Sequence, residues 1–180
     1  MTNEIRSDII SFRQKLDKLN GVEFSWKYQP RQQFQDKESY PVDFQIFMEE
    51  IGELTAGSDP QDRGGGYLIL NLEQPVNFFS AEDEGFYYIL DTPSAEDIFV
   101  FSEDDVGSAA DIMLIATDVD ARNYGFKTTS KPFKFLDLCY ENYERDPTKI
   151  YFDLSSTPTF FDWFKSHMIS MIGEEHFKSM

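Results

Sequence analysis

The spacing of the apolar residues changes twice along this chain, and the changes restrict the folds that it can adopt. Before residue 55, apolar residues recur at intervals of three and four, the period of an amphipathic helix. Beyond Gly66 they come in short runs bounded by polar and turn-forming residues, which is typical of strands. The helical period returns near the C-terminus. The pattern predicts an α+β fold, in which a mainly antiparallel sheet packs against N-terminal and C-terminal helices.

Two helices are predicted in the first third of the chain. The first covers residues 5–19 and ends at Asn20-Gly21, because both residues tolerate the left-handed backbone of a helix end. The second covers residues 41–51, with Pro41 in its first turn, where an N–H is not needed. The apolar faces are predicted to be Ile5, Ile9, Phe12, Leu16 and Leu19 in the first helix, and Phe44, Phe47, Ile51 and Leu54 in the second.

A third helix is predicted at the C-terminal end, over residues 158–172. Thr157 is its expected cap, Pro158 its first residue, and Gly173 ends it. Its apolar face is predicted to be Phe161, Phe164, Met168 and Met171 or Ile172.

Strands are predicted between the second and third helices. Residues 22–28 alternate weakly and could add a short strand, residues 30–38 form a polar loop, and residues 58–66 are rich in turn-forming residues. The main predicted strands are 67–72, 86–90, 98–101, 112–116, 124–127 and 133–138, with 150–154 as a further candidate. Residues 67–138 are expected to form one sheet, with no long helix between residues 67 and 120.

Length and composition indicate one intracellular domain. A chain of 180 residues is within the usual size of a single domain, so residues 1–180 are expected to fold as one. The only cysteine, Cys139, rules out an internal disulfide and indicates a reducing compartment such as the cytoplasm. The first ten residues are charged and lack the apolar region of a secretory signal, and no apolar run reaches the length of a membrane span.

Acidic residues outnumber basic ones, and the excess is concentrated in the middle of the chain. The net charge is −17, from 33 acids and 16 bases. Residues 76–125 carry 12 acids and one base, Arg122, whereas residues 1–75 carry a net −5 and residues 126–180 a net −1. Such a field repels nucleic acid and attracts basic proteins. Solubility alone also accounts for an acidic composition, so both interpretations stay open at this point.

Motifs that would indicate a metal or nucleotide site are incomplete. The glycines at 64–66 precede a predicted strand and lack the lysine of a P-loop, so a turn is favoured. Asp118 and Asp120 begin with the spacing of a calcium loop, but Arg122 and Thr129 stand where oxygen ligands would be needed, and a hairpin turn is favoured. We therefore expect neither a cofactor nor a catalytic metal.

Catalytic side chains also lack a recognisable arrangement. His167, His176 and Cys139 belong to no ligand set with suitable spacing, and no Gly-x-Ser-x-Gly segment occurs. A triad that assembles only in space is not excluded by spacing. An enzyme with such a hidden site stays a third alternative, which a pocket with converging, pKa-shifted groups would favour.

Two acidic clusters adjoin aromatic strands, and they are the candidate partner-binding residues. One cluster precedes the predicted strand at 86–90, and the other follows the predicted strand at 98–101. Aromatic anchors with an acidic rim suit a protein-binding surface, although solvated loops would have the same composition. With the two aspartates of the later turn, the candidate binding residues are Glu82, Asp83, Glu84, Glu103, Asp104, Asp105, Asp118 and Asp120.

The order of several short motifs resembles the SMI1/KNR4, or SUKH, superfamily over residues 40–172. The matching segments are YPVDFQIF at 40–47, GGGYL at 64–68, TDVDARNYGFKT at 117–128, KPF at 131–133 and FFDWF at 160–164. The chain departs from the family pattern at Lys127, where Asp is common, and in a turn that lacks the usual glycines. SUKH proteins are mostly immunity proteins of bacterial toxin systems, or regulatory adaptors in fungi.

The resemblance implies a non-enzymatic protein that binds another protein. The first hypothesis is stoichiometric inhibition of a basic partner, such as a bacterial nuclease toxin, by occlusion of its active site. The second is a regulatory adaptor or scaffold without a toxin partner. Neither nucleic acid nor a membrane is expected as a partner, because the charge is strongly negative and no apolar span occurs.

Overall fold

Two units make up the computed structural model, one of residues 1–71 with 158–180 and the other of residues 72–157. The structure describes residues 2–21, 24–58, 67–72, 76–77, 98–102, 105–118, 123–137, 149–151 and 158–178. Helices lie towards both ends of the chain and antiparallel strands between them, so the predicted α+β class is confirmed. The prediction of a single domain stays a prediction.

The first unit combines a three-stranded sheet with four helices in its described residues. Its elements are α1 (Thr2–Leu19), β1 (Phe24–Gln29), a 3-10 turn (Lys37–Ser39), α2 (Val42–Glu50), β2 (Glu53–Ser58), β3 (Tyr67–Leu70), α3 (Phe160–Ile172) and α4 (Glu174–Lys178). The strands are antiparallel in the order β1-β2-β3. All three predicted helices are present, and α1 begins three residues earlier than predicted.

One face of this sheet is buried and forms the floor of the core. Trp26 is opposite Ala56, and Ala56 is opposite Leu68, so the three side chains share a face. All three are buried, as are Leu54 and Leu70 one pair further along. Helix α1 contacts β1 and α3 contacts β2, and the packed helices exclude water from this face.

A cluster of phenylalanines joins α1, α2 and α3. Phe47 of α2 lies edge-on to Phe160 and Phe164 of α3, at ring-centroid distances of 4.9 and 4.7 Å. Phe12 of α1 contacts Phe164 at 5.9 Å and Phe161 at 6.0 Å. Edge-to-face pairs at these distances add to the gain from burial, so this cluster is the main connection between the three helices.

The start of α3 differs from the prediction. Thr159 is the cap, because its Oγ1 accepts a hydrogen bond from the Asp162 N–H at 3.2 Å, whereas the predicted cap, Thr157, lies outside the described residues. Asp43 of α2 provides a second cap, since its Oδ2 accepts a hydrogen bond from the Phe161 N–H at 2.9 Å. The carboxylate sits where the helix dipole favours negative charge, and it fixes α3 against α2.

The end of α2 also differs from the prediction. Leu54 was expected on the apolar face of α2, but the helix ends at Glu50 and Leu54 is a buried residue of β2. Gly52 makes the break, with φ at +80°, a backbone conformation that side chains disfavour. The strand pattern therefore begins well before Gly66, because β1 and β2 both precede it.

The second unit contains two sheets. Its elements are β4 (Val76–Asn77), β5 (Ile98–Ser102), β6 (Asp105–Gly107), a 3-10 turn (Ala109–Asp111), β7 (Ile112–Asp118), β8 (Asn123–Lys127), β9 (Lys134–Asp137) and β10 (Lys149–Tyr151). Strands β4, β7, β8 and β9 pair antiparallel in that order. Strands β10, β5 and β6 form the other sheet, in which β10 runs parallel to β5.

The prediction of one sheet over residues 67–138 is wrong, since β5 and β6 pair with β10 in a sheet of their own. Five predicted strands, 67–72, 98–101, 112–116, 124–127 and 133–138, are confirmed as β3, β5, β7, β8 and β9. The candidate at 150–154 overlaps β10, and the predicted strand at 86–90 lies outside the described residues. The described part of residues 67–120 contains no α-helix.

Strand β8 is buried on both of its faces. Tyr124, Phe126 and Lys127 are all buried, although successive side chains of a strand point to opposite faces. Gly125 lies between them, and a Cβ there would come within 2.4 Å of the Met113 carbonyl oxygen. The glycine of this segment is therefore required by the close approach of β7.

We expect Gly52→Ala to be far more destabilising than Gly21→Ala. Both glycines have positive φ, which costs an alanine roughly 1–2 kcal/mol. At Gly52 the new Cβ would also lie 1.9 Å from the Gln29 carbonyl oxygen, whereas at Gly21 no atom lies within 4 Å. Urea denaturation of the two variants measures the difference. Equal losses of stability in the two variants would show that the backbone after α2 shifts away from the new Cβ at no further cost.

The phenylalanine cluster predicts that Phe161→Ala and Phe164→Ala each cost about 3–5 kcal/mol. Both side chains are buried and both contact Phe12. Such a loss is a large share of a typical total stability of about 5–15 kcal/mol, so the melting temperature should fall sharply. Val42→Ala is the control, because Val42 is 50% exposed. Parent-like melting of both Phe variants would contradict the assigned helix face.

Candidate protein-binding surface

The structure describes the backbone of only two of the eight candidate binding residues. Asp105 begins β6 and Asp118 ends β7. The other six, Glu82, Asp83, Glu84, Glu103, Asp104 and Asp120, lie outside the described residues. The structure therefore neither brings the eight together nor separates them, and their role in binding stays a prediction.

The last residue of one acidic cluster, Asp105, begins the second strand of a β-hairpin. Ser102 of β5 is opposite Asp105 of β6, and Val100 is opposite Val106, with an irregularity in between. The chain between the paired residues Ser102 and Asp105 holds only Glu103 and Asp104. Asp105 is followed in β6 by an exposed valine, Val106. Val106 is 59% exposed, and it was not among the predicted binding residues because one valine between Asp and Gly carries no sequence signal.

Not every acid of residues 76–125 is available to a partner, since Asp111 holds the local structure together. Its Oδ2 accepts a hydrogen bond from the Ser108 N–H at 2.8 Å. Its carbonyl accepts from the N–H of Thr128 at 2.8 Å and from the Thr128 hydroxyl at 3.1 Å. Asp111 therefore connects the chain after β6 to the end of β8.

A shallow groove of about 440 Å³ lies on the sheet of the first unit. Its lining residues are Asn20, Ser25, Trp26, Lys27, Thr55, Ala56, Gly57 and Ile69. Ser25, Thr55 and Ile69 alternate with buried residues along their strands, so they belong to the exposed face of the sheet. The lining includes one titratable side chain, Lys27, and no acid–base pair. Hydroxyls, one ammonium group and a partly exposed isoleucine can hold a polar segment, but they form no catalytic set.

A side chain satisfies part of the outer edge of β1, at Trp26. Asn20 Oδ1 accepts a hydrogen bond from the Trp26 N–H at 3.0 Å, and Asn20 Nδ2 donates to the Trp26 carbonyl at 3.2 Å. The Gly21 N–H donates to the Phe24 carbonyl at 2.7 Å. The amide of Asn20 thus replaces one peptide group of a neighbouring strand. An edge satisfied in this way offers little to an incoming strand.

A half-buried charged cluster connects α1, the loop after β1, and the end of α2. Glu49 accepts from Lys37 Nζ at 2.7 Å and also pairs with Arg6, which pairs with Glu50 as well. Arg13 donates to the Glu50 carbonyl at 2.6 Å, at the helix end where cations are favoured. Hydrogen bonds from Lys37 and Arg6 lower the pKa of Glu49 below its ordinary value of 4.5. The cluster is paired internally, which fits a structural role.

The other candidate catalytic or metal-binding side chains do not come together within the described residues. His167 of α3 packs beside Trp163, at a ring-centroid distance of 5.6 Å, and Cys139 lies outside the described part. Burial raises the pKa of the Tyr40 hydroxyl, which packs against Phe44 in the core. Within the described ranges, no three His, Cys, Asp or Glu side chains are grouped so that they could hold a metal ion.

Two further results concern membrane spans and similarity to known proteins. No described helix is both long and apolar enough to cross a bilayer. No protein-family model, curated protein or solved structure matches the chain. The resemblance to the SUKH superfamily therefore remains a hypothesis that rests on the short motifs alone.

The charged cluster predicts a specific loss of stability in acid. A carboxyl group with a lowered pKa in the folded state stabilises the fold above its unfolded pKa, near 4.5. This contribution is lost as the pH falls through the folded pKa. The parent and Glu49→Gln should therefore differ most at neutral pH and converge at an acidic pH below the folded pKa, as measured by urea denaturation.

Asp8→Asn is the control for this measurement, because Asp8 is an exposed carboxylate of α1. Its removal should change stability little at either pH. If Glu49→Gln kept a constant difference from the parent at all pH values, its effect would come from packing and not from ionisation.

Proposed function

We propose that this protein acts without catalysis, by binding another protein whose contact surface is basic. The observation that carries the proposal is the charge distribution: residues 76–125 hold 12 acids and one base in a chain of net charge −17. A partner with clustered lysines and arginines gains from this field both in encounter rate and in orientation. Nucleic acid and acidic proteins are repelled by the same field.

The described cations support this proposal, because several of them are neutralised within the fold. Arg6, Arg13 and Lys37 pair with carboxylates around the end of α2, and Arg31 pairs with Glu53 at 2.9 Å. The carboxylates that offset these charges also belong to the first unit. The acidic excess is concentrated in residues 76–125, where Arg122 is the one base in the sequence.

The resemblance to the SUKH superfamily supports a more specific form of the proposal. We propose that the partner is a bacterial toxin, such as a nuclease, whose cationic active site is occluded by the acidic segment. A nuclease binds polyanions, so its active site is basic and complementary to this chain. The proposed compartment is the cytoplasm, where the single Cys139 would stay reduced.

A regulatory adaptor is the second candidate function. The groove lined by Lys27, Thr55 and Ile69 favours it, because this polar surface belongs to a different unit from the acidic segment. A protein with two such surfaces could hold two partners. Protection of cells that express the toxin would favour the immunity function, whereas binding without protection would favour the adaptor.

The charge distribution predicts an effect on association rate. Neutralising Glu103, Asp104 and Asp105 together, as Gln, Asn and Asn, should slow association with a basic partner more than it speeds dissociation. It should also flatten the salt dependence, because the Debye length falls from roughly 30 Å at 0.01 M to about 8 Å at 0.15 M. A pull-down with mass spectrometry supplies the partner, and stopped-flow kinetics measure both rates.

The control removes three exposed acids from the first unit, Asp8, Glu38 and Glu175. Both triple variants change the net charge by the same amount, so any difference reports the position of the charges. Equal effects would show that only net charge matters, and the acidic binding face would then have to be abandoned.

A further inference from the structure

Helix α4 contacts α1 through one aromatic side chain, Phe177. The Phe177 and Phe12 ring centroids lie 5.3 Å apart, and Lys15 Nζ lies 5.2 Å from the Phe177 ring centroid. Phe12 is buried, whereas Phe177 is half-buried. Phe177 therefore occupies a site on α1 that consists of the Phe12 ring and the Lys15 side chain, which we call the Phe12–Lys15 site.

The chemistry of the Phe12–Lys15 site suits an aromatic side chain. Phe12 also contacts Phe161 of α3, at a ring-centroid distance of 6.0 Å, so a ring in this site joins a cluster of packed rings. The ammonium group of Lys15 is close enough to attract the face of that ring. Phe12 and Lys15 are three residues apart on α1, so both contacts come from one face of the helix.

Helix α4 is short and follows a glycine. Its five residues, Glu174–Lys178, make little more than one turn, and a helix of this length is unstable by itself in water. Its ion pair, from Lys178 to Glu174 at 2.6 Å, is exposed and adds little stability. Gly173 joins α4 to α3 with φ at +93°, a backbone conformation that side chains disfavour. The contact with α1 therefore stabilises α4, and rotation about Gly173 releases it.

We propose that the Phe12–Lys15 site binds an aromatic side chain of a partner protein, and that α4 is a displaceable cover of this site. Phe177 stands in for the partner's residue, so it defines what the site accepts, an aromatic ring carried on a short helical turn. The site belongs to the first unit, whereas the acidic residues 76–125 belong to the second. The inference thus goes beyond the proposed function and does not depend on it.

The cover lowers the affinity that a partner experiences. A partner's ring and Phe177 compete for the same contacts, so binding requires α4 to leave. If the released form makes up about 1–10% of the molecules, the apparent dissociation constant is about 10- to 100-fold above that of the open site. Removing the Phe177 ring ends this competition, because Phe12 and Lys15 both remain on α1.

The test titrates a peptide into the isotope-labelled full chain and follows binding by NMR. The peptide has the sequence IGEEHFK, residues 172–178, with blocked ends. Phe177→Ala should bind it at least ~10-fold more tightly than the parent chain, because the site is uncovered. Gly173→Ala keeps the ring but strains the bend, so it should also bind more tightly than the parent, by at least ~5-fold. The two variants alter the cover in different ways, so the test does not depend on the folding of either one.

Two lysines of α1 provide a matched control for the site itself. In the Phe177→Ala chain, Lys15→Ala should weaken peptide binding about two- to fivefold, the range of an exposed cation–π contact. Lys18→Ala removes the same charge from an exposed position of the same helix and should leave binding unchanged. A second peptide, IGEEHAK, lacks the aromatic ring and should not bind.

Two results would overturn the inference. One is equal affinity of the parent, Phe177→Ala and Gly173→Ala for IGEEHFK, which would show that α4 covers nothing that the peptide uses. The other is equal binding of IGEEHFK and IGEEHAK, which would show that the site does not recognise the ring. Neither result affects the proposed function, which is tested separately by the acidic triple variant.

Discussion

The packing of phenylalanine rings between α1, α2 and α3 is the interaction on which the first unit depends. Phe47 sits between Phe44 on its own helix and two rings of α3, with the Phe44–Phe160 pair at 4.6 Å. The rings bury the inner face of the helices, and the Asp43 carboxylate fixes the direction in which α3 begins. These rings belong to the apolar layer of helix side chains that is buried with the inner face of the β1–β2–β3 sheet. The charged cluster lies beside them, at the end of α2.

Strands β1 and β6 are two of the strands that end a described sheet, and they differ in how their outer sides are arranged. At β1 the Asn20 amide satisfies the backbone of Trp26, and the Gly21 N–H donates to the Phe24 carbonyl. At β6 the strand is simply short, and its residue Val106 is left exposed next to acidic residues.

Elements whose apolar residues recur at a regular spacing could be predicted from the sequence, and those held by contacts between distant residues could not. Helix α1 follows from the spacing of Ile9, Phe12 and Leu16, all of which are buried. Strand β2 was missed because Leu54 continues the helical spacing of Ile51, and only the positive φ of Gly52 separates helix from strand. The separate sheet of β5, β6 and β10 could not be foreseen, because the parallel pairing of Ile150 with Phe99 is a long-range contact. The acids of the candidate site could be recognised from the composition alone. The exposure of Val106 could not, because it depends on the pairing of Val106 with Val100 in a neighbouring strand.

The first unit is assembled from both ends of the chain, and this has a consequence for its biosynthesis. Residues 72–157 leave the ribosome after α2 but before α3, so Phe44 and Phe47 are made long before Phe160 and Phe164 reach them. A nascent chain therefore carries Phe12, Phe44 and Phe47 without their α3 partners during the synthesis of the whole second unit. Exposed apolar surface of this kind is what chaperones bind and what promotes aggregation. Translation speed between residues 72 and 157 thus sets how long the growing chain stays vulnerable, at roughly 5–20 residues per second.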